Sequence, residues 1–209
     1  MGLAVVMWAL FGYSLAFGGN HGGIIGDFRW FGLNGVGWDA GPYADSIPNL
    51  VFCGFQMMFA IITPALITGA VVGRMRFKAL FVFIALWSLI VYYPLAHMVW
   101  GQGGLLAELG SVDFAGGDVV HISSGITALV LAIILGRRKG YERMTYRIHN
   151  IPFVVLGATI LWFGWFGFNA GSSLKADGLA AHAFMTSAIA SASALLSWML
   201  LDVINDRKT

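Results

Sequence analysis

Charge is what this chain most lacks. Lys, Arg, Asp and Glu make up only 11% of its 209 residues, too little for a soluble domain of that length. The charges it has do not gather. Twelve basic residues against 10 acidic ones leave a net charge of +2, split among separate loops, and without a basic patch there is no reason to expect nucleic acid as a partner. Cys53 is the single cysteine, which rules out a disulfide framework or a cysteine metal site within the chain. The five histidines are scattered and no His-Glu-x-x-His occurs, so neither a metal nor another cofactor is expected. Also missing are a glycine-rich phosphate loop behind a strand and a Gly-x-Ser-x-Gly nucleophile turn. An enzyme reading is left without a reacting group.

Apolar residues are abundant, at 58%. They form runs at about 3–17, 51–73, 79–98, 113–136, 151–171 and 179–201, each near the roughly 20 residues that span a hydrocarbon core. The expected fold is all-α: a polytopic transmembrane helix bundle of about six spans, set in a lipid bilayer, with the first span short. A cleaved signal peptide is the other reading of that first run. No basic residue precedes it, however, and the aromatic-rich stretch from Trp8 to Phe17 is a poor match to a signal core. The outer loops are expected at 18–50, 99–112 and 172–178, and the inner loops at 74–78 and 137–150. Basic residues set this orientation. Arg74, Arg76 and Lys78 follow the second span, Arg137, Arg138, Lys139, Arg143 and Arg147 the fourth, and Arg207 and Lys208 the sixth. Only Arg29 and Lys175 lie in the alternate loops, and ten against two puts both ends on the cytoplasmic side of the cell membrane. The long outer loop, rich in Gly, Asn and Asp with Trp30 and Trp38, reads as a vestibule wall.

Within the spans, Gly69-x-x-x-Gly73 and Gly167-x-x-x-Gly171 let backbones approach closely, and tight helix packing is their expected use. Pro64 and Pro94 each remove an amide donor and can kink their helices. His121 draws the most attention, because an imidazole inside an apolar span costs desolvation and titrates near neutral pH. It can pass a proton or bond to a small neutral solute; alternatively it is satisfied by a neighbouring helix carbonyl or by Ser123 and Ser124. Asp118 stands one α-helical turn earlier on the same face. It either raises the histidine's basicity or bonds to a serine at a helix crossing.

The motifs then converge. His97-Met-Val-Trp-Gly, Gly-Leu-Leu-Ala, Asp113-Phe-Ala-Gly-Gly, Val-Val-His121 and Gly164-Trp-Phe-Gly-Phe-Asn-Ala-Gly-Ser172 occur in order. With Gly12-Tyr-Ser-Leu-Ala-Phe-Gly near the start, and Gly69-Ala, Arg74 and Arg76-Phe after the second span, the chain resembles the ammonium transporter family (Amt/Mep/Rh) from end to end. The resemblance implies a homotrimer with one pore per subunit, eleven spans in each, and an outer cation-recruitment site above a narrow apolar channel. On the matching positions, it makes Phe59 and Trp100 the aromatic walls of that site and Ser172 its hydroxyl. Phe55 and Phe168 become the gate beneath, His121 the first of two pore histidines, and Asp113 a cap that holds the site in shape.

Physical chemistry agrees with those roles. Cation–π faces attract ammonium by roughly 0.5–2 kcal/mol each, whereas carrying the bare ion to the bilayer centre costs on the order of 10 kcal/mol. With lysine's pKa of about 10.4 as an upper guide, removing the proton at pH 7 costs roughly 5 kcal/mol. Passage as ammonia is the cheaper route. The resemblance also has gaps. No second pore histidine in a Gly-Val-His-Gly-like setting follows Ala181, and Gly101-Gln-Gly-Gly104 carries an extra residue beside Trp100. The sequence matches spans two to seven of eleven, half of the family's inverted repeat, and a lone copy is not expected to close a channel. Two other readings stay open: an ammonium sensor coupled to a cytoplasmic signalling domain, and a purely structural membrane subunit. The family's usual cytoplasmic partner, a small nitrogen-regulatory signalling protein, would find only the loop from Arg137 to Arg147 to dock on.

Overall fold

In hydrocarbon every backbone N–H and C=O needs a partner inside the chain, so apolar runs of this length wind into helices. The computed structural model describes residues 1–138, 140–141 and 149–205. Five of its helices are long and apolar enough to cross a membrane: α2 (Asn49–Val71), α3 (Phe77–Glu108), α4 (Gly117–Leu135), α5 (Ile151–Ser173) and α6 (Gly178–Ile204). Ahead of them, α1 (Gly2–Phe17) is apolar but shorter. A helix lies over each of the six apolar runs, with ends that differ by up to ten residues: α3 runs on to Glu108 where its run was expected to end at 98, and α4 begins at Gly117 rather than at Asp113. Of the basic residues used to orient the chain, Lys139, Arg143, Arg147, Arg207 and Lys208 fall outside the described residues.

The chain packs as two compact units, Met1–Thr145 and Tyr146–Thr209. In the first, α1 is the centre. Trp8, Tyr13 and Phe17 are almost wholly buried, and their rings meet Tyr93 and Phe52 at centroid distances of 5.1–6.4 Å. Buried polar tips are satisfied across long sequence separations: the Trp8 indole N–H donates to the Cys53 carbonyl at 3.1 Å, and the Tyr13 hydroxyl to Oδ1 of Asn49 at 2.6 Å. At the other end of the unit the Arg74 guanidinium donates to the carbonyls of Gly136 (2.7 Å) and Ala70, covering the open C-terminal ends of α4 and α2, where a cation is favoured.

Among the described residues three helices carry a π turn: Trp8–Gly12 in α1, Ser88–Tyr92 in α3 and Gly117–Ile122 at the start of α4. Pro94 stands just after the second of these, in the first turn of the rewound segment Tyr93–Trp100, where a missing amide donor costs a helix least. The loop between α1 and α2 contains a short antiparallel ribbon, β1 (Ala40–Gly41) and β2 (Ala44–Pro48), paired Ala40 to Pro48 and Gly41 to Ala44. Asp27 anchors the same loop. Its carboxylate accepts from the backbone N–H groups of Gly19 and Arg29 and pairs with the Arg29 guanidinium at 3.0 Å. Partial burial pushes this carboxyl up, but those bonds outweigh it and hold it below the usual carboxylate range.

In the second unit, α5 and α6 are each capped by a side chain. Oδ1 of Asn150 accepts from the Phe153 N–H and Oδ1 of Asp177 from the Ala180 N–H, which satisfies donors that a helix start leaves open. Asp177 also accepts from the Ser173 hydroxyl, and that bond with the cap lowers its pKa. The helices meet through stacked Phe166 and Phe184 (4.4 Å) and a bond from the Asn169 amide to the Ser187 hydroxyl (2.7 Å).

One expectation fails here. A Cβ placed on Gly69 or Gly167 would meet nothing within 4 Å, and one on Gly73 only the Arg138 side chain at 3.7 Å. Close approach occurs instead at Gly12, where a Cβ would lie 2.6–2.8 Å from the Tyr93 ring. Spacing alone does not tell which side of a helix has a neighbour.

Candidate functional site

The turn that opens α4 is organised by one carboxylate. Gly116 takes φ +102°, open to glycine at little cost, and this folds residues 116–119 back over Asp113. Oδ1 of Asp113 accepts from the N–H groups of Gly116 and Gly117, and Oδ2 from those of Asp118 and Val119, at 2.5–3.0 Å. Four otherwise open donors at a helix start are therefore satisfied by a single side chain of the favoured charge. The same residue's carbonyl accepts from the Trp100 indole N–H at 3.0 Å.

That bond fixes an aromatic cluster. Trp100 meets Phe59 edge to face, with centroids 5.4 Å apart and planes at 82°, and Phe59 meets Phe55 at 5.0 Å and 68°. Phe55 and Phe59 are one turn apart on α2, so their contact is a consequence of helical spacing; the contact with Trp100 comes from tertiary packing. Four of the seven residues singled out from the sequence (Phe55, Phe59, Trp100 and Asp113) are thus brought together in the first unit. Gln56, not anticipated, sits in the same turn of α2. It is 8% exposed, and its Oε1 has no hydrogen-bond partner among the described residues.

His121 follows on the α4 π turn. Its backbone N–H reaches the Gly116 carbonyl five residues back at 3.0 Å, and its side chain is exposed on the first unit while Val119 and Val120 are buried. The hydroxyls of Ser123 and Ser124 donate to the carbonyls of Val119 and Val120 at 2.5 and 2.6 Å, so the protons of both are committed to backbone. The wider π winding also removes the α-helical register assumed for Asp118 and His121. Asp118 instead accepts from the Ser111 hydroxyl at 2.6 Å, the serine partnership that was one of its two readings.

Phe168 and Ser172 belong to the second unit. Phe168 stacks on Trp165 at 4.8 Å, and the Ser172 hydroxyl donates to the Phe168 carbonyl at 2.8 Å, which leaves its oxygen lone pairs able to accept from a donor. Among the described residues no group of three or more His, Cys, Asp or Glu side chains has the arrangement to hold a metal ion. Within the first unit, the aromatic rings of Phe55, Phe59 and Trp100 and the buried amide oxygen of Gln56 suit an ion with N–H donors and no side chain of its own.

Comparison with known proteins gives the site its context. The family model described as "Ammonium Transporter Family" matches residues 1–209. An "Ammonium transporter" of Bacillus subtilis (strain 168) is 50% identical over 203 residues, 97% of this chain and 49% of its own length. The crystal structure of Saccharomyces cerevisiae Mep2 superposes with a TM-score of 0.86 at 40% identity, over 99% of this chain and 47% of that one. A structure titled "Sensor Amt Protein" reaches 0.82 at 33% identity, over 96% and 50%. The chain therefore spans about half the length of the relatives it matches. A match that runs the whole length of the chain, with a membrane helix bundle to go with it, settles the family: this chain belongs to the ammonium transporters.

Proposed function

We propose that the full protein moves ammonium across the cell membrane. The ion is recruited at an outer site of Phe59, Trp100 and Ser172, loses a proton, and passes as ammonia beneath Phe55 and Phe168 and along an apolar pore that contains His121. One observation carries this reading furthest: the Trp100–Phe59 pair is pinned, through the indole N–H, to the carbonyl of Asp113, the residue whose carboxylate heads the helix bearing His121. A recruitment site needs its aromatic rings held in a fixed orientation before the ion arrives, and this bond fixes that of the indole. His121 serves as hydrogen-bond partner for ammonia and as one station of a proton relay. Both ends of the chain face the cytoplasm, the protein works as a homotrimer, and a cytoplasmic nitrogen-regulatory signalling protein docks on inner loops.

Current across proteoliposomes holding the full-length protein tests this. Trp100→Ala is expected to weaken apparent ammonium affinity about 10-fold, in keeping with the loss of one cation–π face worth about 1.4 kcal/mol. His121→Ala should leave affinity nearly unchanged and lower the flux. Ammonium handling that survives both substitutions sinks the reading in favour of a structural subunit. A sensing role is the second reading, supported by the match to the sensor protein; ammonium binding without current would bring it forward.

A further inference from the structure

Trp100 is held at its indole by Asp113, but its backbone is the last residue before the glycine turn at 101–104, and that turn needs an anchor of its own. It finds one 80 residues back in the chain. The Asn20 amide N–H donates to the Gly103 carbonyl at 2.9 Å, separated by 83 residues, while Oδ1 of Asn20 accepts from the Gly23 N–H at 2.7 Å. These two bonds fix which way the amide points. Beneath it lies His97, 0% exposed. Its Nδ1 faces the Ala16 carbonyl, which can only accept, at 3.0 Å, and its Nε2 lies 3.2 Å from Oδ1 of Asn20.

The glycine turn is moulded on this pair. A Cβ on Gly101 would lie 2.6–2.7 Å from the His97 carbonyl oxygen and ring, and one on Gly103 2.5 Å from the Asn20 amide nitrogen. Gly103 also takes φ +71°. Past the turn, the Leu105 N–H donates to the Gly23 carbonyl at 2.9 Å. The Gln102 side-chain amide in turn donates to the Pro42 carbonyl at 3.0 Å. Hence the segment on either side of Trp100 is bound to the 16–25 region, and His97 lies one helical turn below Trp100 on α3.

We propose that Asn20 and His97 are positioning residues for Trp100: they lock the 101–104 turn and so set the orientation in which the indole meets its ligand. The inference rests on the recruitment reading above for its effect on transport, and on the hydrogen bonds alone for its effect on the indole. Asn20 is at the surface, so Asn20→Ala leaves the core intact.

In full-length transporter, Asn20→Ala is expected to raise the KM for methylammonium uptake about five- to ten-fold while Vmax stays within about two-fold. Asn20→Asp, which keeps an oxygen for the Gly23 N–H but loses the donor to Gly103, should fall between. In a Trp100→Leu background Asn20→Ala should add nothing to KM, since the residue acts through the indole; additive effects overturn the proposal, as does an unchanged KM in the single variant. A Trp100→Leu protein with normal KM would instead mark failure of the recruitment reading. Position is then read without transport, by fluorine NMR of protein labelled with 5-fluorotryptophan. Asn20→Ala should shift the Trp100 line and leave the Trp198 line in place; an unmoved Trp100 line overturns the proposal on its own.

Discussion

Helices α2 and α6 are close in apolarity and opposite in environment. Their most apolar stretches have mean hydropathies of 2.1 and 1.7, yet 44% of that stretch is buried in α2 and none of it in α6. Hydropathy thus reports that a helix suits a bilayer; it does not report which of its faces another helix covers. The polar side chains make the distinction. In the first unit, bonds such as Trp8 to Cys53, Tyr13 to Asn49 and Asn20 to Gly103 join residues 36–83 positions apart. In the second, apart from the Asn169–Ser187 bond, the hydroxyls of Thr159, Thr186, Ser187 and Ser191 return to carbonyls three or four residues back on their own helix.

The contrast is tested most severely by tryptophan. Trp8, 1% exposed and central to the aromatic core, should lose about 3–5 kcal/mol of stability as Trp8→Ala. Trp198, 70% exposed, should lose less than about 1 kcal/mol as Trp198→Ala, since few contacts within these residues are removed. Thermal melts of the detergent-solubilised full protein compare the two, and equal losses would erase the distinction. The next effect belongs to the cap on α4. Asp113→Ala exposes four backbone donors at once and should cost about 2–4 kcal/mol, with ammonium current lost as the Trp100 indole drifts; Asp113→Asn, with one acceptor oxygen, should fall between. Wild-type current in Asp113→Ala would mean that the carboxylate cap is not needed to hold the indole in place.

Glycine sharpens the comparison at lower energy. Gly12→Ala forces a methyl into the Tyr93 ring and should cost about 1–3 kcal/mol. Gly167→Ala, with open space around it, should be neutral or raise the melting temperature slightly through helix propensity. The reverse order would mean that Gly167 has a neighbour and Gly12 room to spare. The smallest effect concerns pH. Because the Asp27 carboxyl is held below its ordinary value, it contributes stability above the unfolded value of about 3.9, and that contribution is lost as pH falls through the lower folded value. Hydrogen exchange at Gly19 and Arg29 should accelerate beyond its intrinsic pH trend as pH drops from about 4 to 3. Asp27→Asn should abolish that extra acceleration, and an identical profile in the variant would show that the carboxylate does not anchor the loop.

Much of this could be read before any coordinates. The six apolar runs became six helices because an apolar stretch in lipid has no other way to bond its own backbone. Asp113 was expected as a cap through the family resemblance, and its carboxylate does accept from four backbone N–H groups at the start of α4. Phe59 and Trp100 came from ordered family motifs, and their rings do meet. Other features had no local signature. The glycine spacing at Gly69 and Gly73 suggested contact and found none, since spacing repeats on every face of a helix. The π turn under His121 altered its register to Asp118, and nothing in residues 117–122 distinguishes five-residue from four-residue hydrogen bonding.

His97 is the clearest case. Its place one turn before Trp100 and the glycines that follow were visible, but its partners, Ala16 and Asn20, are 81 and 77 residues away. By itself the sequence determined a membrane-spanning helical chain of the ammonium transporter type, because apolar length, caps and ordered motifs act over a few residues at a time. Only the tertiary structure decided which rings touch, which glycines are filled against and which loop holds Trp100, because those contacts join segments whose meeting depends on how all the helices pack.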